Sequence, residues 1–208
     1  MSNGLADNTT MTDRRWAQHG SSIVLLLVFC WYWLGGISGD IIGHPYGDMP
    51  DHFWGNNWFA DHLRLGEWPS FTSVTHFPEG GHLWHIDPMG GVFRTLLFFV
   101  PSHTAWNLYL WTQLAVTSVV AYAFFCAQLE RFFLALILSV MLVSSSYLSG
   151  LIHSGLSEYV GLHLAIGVLW AGLARRWILT GVLLGLCGWQ AFSYGLIGAL
   201  MLMCLHWR

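Results

Sequence analysis

There is no lysine in this chain. All eight cations are arginines, and they are scattered, so no polybasic patch exists to hold an anionic membrane surface. Charge of either sign is scarce, at 9% of residues against about 25% in a soluble domain. So few charges cannot keep a whole surface in water, which excludes an ordinary soluble globular protein. The net charge of −3 argues against a basic nucleic-acid binder, and no nucleic-acid partner is expected. Cysteine is sparse as well. Cys30, Cys126, Cys187 and Cys204 each sit in an apolar run and none forms a CxxC, so they read as small hydrophobes and not as disulfides or a zinc site. Proline is absent outside residues 45–101. No small-x-small cleavage site follows Arg14 and Arg15, and the apolar run after them is too long for a signal core. That run is read as a retained span.

What is abundant is apolar surface. Hydrophobic residues make up 55% and aromatics 16%, with 13 Trp, and the mean hydropathy is +0.53. The fold class expected is all-α. The chain reads as a polytopic integral membrane protein with about five transmembrane helices, within a range of about four to six. Residues 1–20 form an N-terminal tail and 21–42 the first span. Residues 43–103 form a long loop, and 104–208 a helical bundle. Within the bundle the expected helices are Ala105 to Leu129, Phe132 to Leu151 and Glu158 to Ala174. Trp177 to Trp207 is either one long tilted helix or two pieces broken near Gly188 to Ser193.

Arginine sets the orientation. Arg14 and Arg15, Arg131, and Arg175 with Arg176 flank successive spans, and placing all of them in the cytoplasm gives one alternating topology. The N-terminus is then cytoplasmic and the 43–103 loop extracytoplasmic, in an inner or plasma membrane. Arg64 and Arg94 lie inside the outer loop as exceptions.

That loop holds seven of eleven histidines, six of eleven acids and all six prolines. A helix is expected to start at Asp48, a good N-cap, with Pro50 and Asp51 in its first turn and an end no later than Pro69. Trp54 and Trp58 share a flank opposite Asn56, Asn57 and Asp61, the pattern of an amphipathic helix lying at the membrane interface. The stretch THFPEGGHLWHIDPMGG carries too many breakers for regular structure. Val92 to Val100 is apolar but too short to span. Asp48 and Asp51 suit a general base or an oxygen-rich cation site, or simply a cap and a dipole partner. His82, His85 and Asp87 form H-x-x-H-x-D, a short and unspecific metal pattern. Glu158 ends a turn on the same expected side, with a dipole role beside Ser157 as its plainer reading. His163, inside an apolar helix, suits an intramembrane hydrogen bond. G-V-L-L-G at Gly181 and Gly185 suits close helix packing.

One span, then a long acidic outer loop, then a packed helical series, is similar to the GT-C superfamily of polytopic glycosyltransferases. The residues that carry the resemblance are Gly47-Asp48, MPDHFWGNNWFADHLRLGEWP and THFPEGGHLWHIDP. Asn107-Leu108-Tyr109 and SSSYLSGLIHSGLSE continue it. The resemblance implies an extracytoplasmic transferase that uses a polyprenyl-phosphate sugar with inversion at the anomeric carbon. It implies Asp48 as the base on the acceptor, with Asp51 second. It further implies a divalent cation, Mg or Mn, at Asp48, His85 and Asp87. Arg94, a cation on the outer side, is then assigned to the donor phosphate, Glu158 to assisting the base or binding the cation, and Trp54 and Trp58 to stacking on sugar or anchoring the loop. The chain has fewer spans than the family usually carries, so further transmembrane segments or subunits are expected to complete it. The other reading is a non-catalytic membrane subunit or scaffold whose His-rich loop binds a partner or a metal.

Overall fold

In hydrocarbon a backbone has only itself for hydrogen bonding, so an apolar chain of this composition folds as helices. The computed structural model of the chain describes residues 4–36, 40–43, 46, 49–68, 71–72, 81–82 and 90–206. Among these residues the structure is helical apart from two two-residue strands, β1 (Phe71–Thr72) and β2 (Gly81–His82), which pair antiparallel. That pairing is a small piece of regular structure where the breakers had predicted none.

The first helix, α1, runs from Gly4 to Trp33. It therefore takes in much of the polar tail and stops nine residues short of the expected end at Ile42. The reason is local. Gly35 and Gly36 adopt φ of +75° and +87°, and the Gly36 N–H closes back onto the Trp31 carbonyl. Left-handed glycines after the last turn stop a helix whatever the hydrophobicity beyond them.

The longest apolar helix is α4, Ser102–Leu129, about 42 Å at 1.5 Å per residue. It agrees with the expected span to within three residues at its start. α1 runs antiparallel along it. Trp111 Nε1 donates to the Leu27 carbonyl at 3.4 Å, and His19 Nδ1 lies 2.8 Å from Tyr122 Oη. Glu130 takes a left-handed φ of 54° and turns the chain into α5, Phe132–Val143. The expected third helix breaks at Ser144 and Ser145, and Ser145 caps a new helix, α6 (Ser146–Ser154), by accepting from the Leu148 N–H. Then follow α7 (Ser157–Val160) and α8 (His163–Leu173). The expected fourth helix is thus also interrupted, at Gly161 and Leu162.

Of the two forms left open for the last stretch, the chain adopts the broken one. α9 (Trp177–Gln190) and α10 (Phe192–His206) are joined through Ala191, which is extended. A methyl group on Gly195 would stand 2.6 Å from Gly188 Cα, and one on Gly198 would stand 3.3 Å from Leu184 Cδ1. Residues on either side of Ala191 therefore face each other, and the two helices fold back as a hairpin. At 14 and 15 residues, each leg is about 21–23 Å long, short of the roughly 30 Å of a hydrocarbon core.

Among the described residues, two stretches are long and apolar enough to cross a membrane, Ser102–Leu129 and Phe132–Ser154. Most of the second is not buried. Its exposed side chains include Phe133, Ile137 and Met141, and α9 and α10 likewise turn Ile178, Val182 and Leu196 outward. The buried core is built on α4. Trp106, Tyr109, Leu110 and Leu114 pack against Phe93, Val143 and Leu148, and a second cluster joins Val168, Cys187 and Tyr194.

The segment that follows α1 is pinned by side chains of α4. Asn107, fully buried, accepts from the Ile42 N–H at 3.0 Å and donates to the Asp40 carbonyl at 3.1 Å. Trp106 Nε1 donates to the Ile42 carbonyl at 2.7 Å. Replacing Asn107 with Ala removes both partners at once. Both hydrogen bonds are part-buried, with Asp40 itself exposed, so the loss of each costs about 0.5–1.5 kcal/mol. Asn107→Ala should therefore lower the unfolding midpoint in a denaturant titration of the detergent-solubilised protein. An unchanged midpoint would show that the pin contributes nothing.

Candidate functional site

The candidate site collects at the end of the bundle where α4 begins. α2 runs from Met49 to Arg64. Pro50 and Asp51 occupy its first turn, as expected, and Gly66 with φ of +76° closes its far end. Asp48, the predicted N-cap and base, lies outside the described residues, as do His85 and Asp87. Of Asp51 and Glu158 the structure describes the backbone only, in the first turns of α2 and α7.

One contact draws these segments together. Gly155, with φ of +81°, caps α6 and lies directly against Met49, so that a methyl group there would overlap the Met49 backbone and Cβ. Gly155 is three residues from Glu158, and Met49 is next in sequence to Asp48. The start of α2 and the α6–α7 turn are neighbours, although about a hundred residues of sequence separate them.

Arg94 sits on α3 (Gly90–Leu96), which packs between α2 and α4. This is the segment that reads as apolar but too short to span. Its side chain is 8% exposed, donates to Asn56 Oδ1 at 2.8 Å and lies 4.9 Å over the Phe59 ring. A guanidinium is stable at such burial only when its donors and its face are engaged, and here α2 supplies both. The flank of α2 that was expected to face water is instead turned partly inward. Asn57 Oδ1 accepts from Ser102 Oγ at 2.6 Å, at the first residue of α4. Arg64 pairs with Asp61 at 2.6 Å, reaches the Leu97 carbonyl, and lies over Phe98.

Trp54 and Trp58 are brought together as predicted, with ring centroids 6.3 Å apart and nearly parallel planes. Trp58 lies in turn against His62, with centroids 4.0 Å apart and planes tilted by 39°. Three rings thus follow one another along α2, with Trp68 exposed just beyond its end. Among the described residues no group of three His, Cys, Asp or Glu is placed to hold a metal ion.

Sequence reasoning did not single out the polar side chains in the middle of the bundle. Gln113, Thr117 and Gln190 are buried beside His163. Thr117 Oγ1 lies 3.5 Å from His163 Nδ1, a long contact. A lone glutamine within an apolar helix was the available signal.

The Gly155 contact is testable. Gly155→Ala imposes a left-handed φ on an L-residue, at about 1–2 kcal/mol, and drives a methyl group into Met49. The variant should melt at a lower temperature than the parent in the same detergent, and an equal melting temperature would mean that α2 and α6 do not meet. Comparison of the chain with protein-family models, with curated proteins and with solved structures returned no match.

Proposed function

We propose that the chain is a membrane-embedded glycosyltransferase, or the N-terminal part of a longer one. It would transfer a sugar from a polyprenyl-phosphate donor to an acceptor on the extracytoplasmic face. The observation that carries the reading is the contact of Gly155 with Met49. It joins the segment that opens at Asp48 and Asp51 to the segment that carries Glu158, the acids on which the resemblance to the GT-C superfamily rests.

The membrane reading has support of its own. α8 runs parallel to α4, since His163 lies beside Thr117 and Trp170 beside Phe124, with centroids 6.4 Å apart. Arg175 and Arg176 therefore follow at the end of the bundle where Arg131 stands, and antiparallel α1 brings its N-terminal turns there too. On the positive-inside rule that end is cytoplasmic, and the start of α2 is extracytoplasmic. The spans would be α1, α4 and α5 continued by α6, with the shorter α8 and the α9–α10 pair entering the membrane beside them.

In the proposed reaction the Asp48 carboxylate takes the proton of the acceptor nucleophile as that atom attacks the anomeric carbon. The new bond to the sugar forms, the bond to the phosphate oxygen breaks, and the polyprenyl phosphate leaves with its electron pair. Attack from the face opposite the phosphate inverts the anomeric centre. Arg94, oriented by Asn56 and Phe59, is assigned to the phosphate. The Trp54–Trp58 ladder would stack on sugar or seat α2 at the interface. A divalent cation would offset the charge of the leaving phosphate when bound. Asp48, Asp87 and His85 are the proposed ligands, and two carboxylates with one imidazole suit Mn or Mg.

The test is transfer by membranes carrying the chain, with a panel of radiolabelled polyprenyl-phosphate sugars. Asp48→Asn should lower transfer by about 10²–10⁴-fold, the usual contribution of a general base. Full activity in Asp48→Asn would remove Asp48 from that role. No transfer from any donor, with the protein inserted, would favour the non-catalytic subunit.

A further inference from the structure

The polar groups at mid-bundle serve none of the roles above, and they meet where two helices are broken. Gln113, on α4, is fully buried. Its Nε2 donates to Tyr109 Oη at 3.2 Å, and its Oε1 has no hydrogen-bond partner. Exchanging the two ends of the amide would satisfy the oxygen and strand the nitrogen, so one polar atom is unpaired either way.

Gln113 Oε1 is aimed at Gly161, in the gap between α7 and α8. A methyl group on Gly161 would overlap Gln113 Oε1, and would stand 2.6 Å from Gln190 Nε2 and 2.9 Å from His163 Cε1. Side chains from α4, α9 and α8 thus converge on one glycine. Gln190 is the last residue of α9, at the tip of the hairpin, and its Nε2 donates to the Gly161 carbonyl at 3.4 Å. From the other leg, Tyr194 Oη donates to the Tyr159 carbonyl at 2.8 Å. The hairpin tip therefore supplies donors to the carbonyls freed where α7 stops.

Within a membrane, non-helical backbone is found only where protein or water meets it. Here Gln190 and Tyr194 meet the Gly161 and Tyr159 carbonyls, and beside them the side-chain atom Gln113 Oε1 has no partner. The unpaired atom is an acceptor as placed and a donor if the amide ends are exchanged, so its partner must be able to do both. The groups around it are mixed, with a donor on Gln190 and acceptors on Gly161 and Gln113. A cation would be repelled by the amide N–H, whereas a water molecule both donates and accepts and needs two to four polar partners. We propose that one water molecule is bound at this junction, donating to Gln113 Oε1 and held against Gly161 and Gln190. It would extend the Tyr109–Gln113 hydrogen bond to Gly161 and to Gln190 at the hairpin tip. The proposal rests on the membrane reading and not on glycosyl transfer.

The test is hydroxyl-radical footprinting by X-ray pulses, with the full chain in lipid nanodiscs. Radicals born from a bound water modify the side chains beside it, even those sealed from bulk solvent. Tyr109 and Phe93 are equally sealed, at 1% and 0% exposure, and only Tyr109 touches Gln113. Tyr109 should be modified several-fold faster than Phe93, and Gln113→Leu should reduce it to the rate of Phe93. Equal rates in the unaltered chain would overturn the proposal, and this comparison stands even if Gln113→Leu fails to fold. Modification of Tyr109 that sodium or potassium chloride suppresses would overturn it too, because a cation would then hold the site.

Discussion

Among the described residues, the peptide groups freed where this chain leaves a helix must find partners in backbone turns or in side chains of the bundle. That constraint shapes the molecule. An uninterrupted helix satisfies its own backbone, and α4 does so along its length. Where the chain leaves α1, and where α7 gives way to α8, the carbonyls and N–H groups are freed, and amide, indole and phenol side chains take them up. Asn107 and Trp106 do this for Asp40 and Ile42. Gln190 and Tyr194 do it for Gly161 and Tyr159. The few polar residues within apolar helices are thus sited opposite the breaks in other helices, which is why so apolar a chain can contain so many short elements.

Much of the helical frame was legible in the sequence. α4 and the start of α5 follow from hydropathy and from the Glu130-Arg131 junction, and α2 follows from Pro50 and the Trp54–Trp58 spacing. What was not legible depends on contacts across the fold. Gly35 and Gly36 lie inside an apolar run, and composition does not reveal that they turn left-handed. A continuous helix and a hairpin have the same hydropathy over residues 177–206, and only the backbone contact of Gly188 with Gly195 separates them. Ser144 and Ser145 read as part of a span because serine is tolerated there. The structure shows them ending one helix and capping the next.

The candidate site was legible in a different sense. The Trp54–Trp58 stack follows from four-residue spacing on a helix. Arg94 stood out as a cation in an apolar segment, but its partners Asn56 and Phe59 belong to another helix and no local pattern announces them. The nearness of Gly155 to Met49 is likewise a matter of topology. The mid-bundle cluster of Gln113, His163 and Gln190 escaped notice because each residue is unremarkable alone, and its meaning comes from convergence on Gly161.

The α9–α10 pair has a mechanical consequence. Its legs touch backbone to backbone at Gly188 and Gly195, with no side chain between them to act as a spring, and a single residue, Ala191, links them. The pair is therefore a stiff lever whose outer faces meet the surroundings and whose tip grips the end of α7 with Gln190 and Tyr194. A shift of either leg is thereby passed to the tip and to the two carbonyls of the α7–α8 break that it holds.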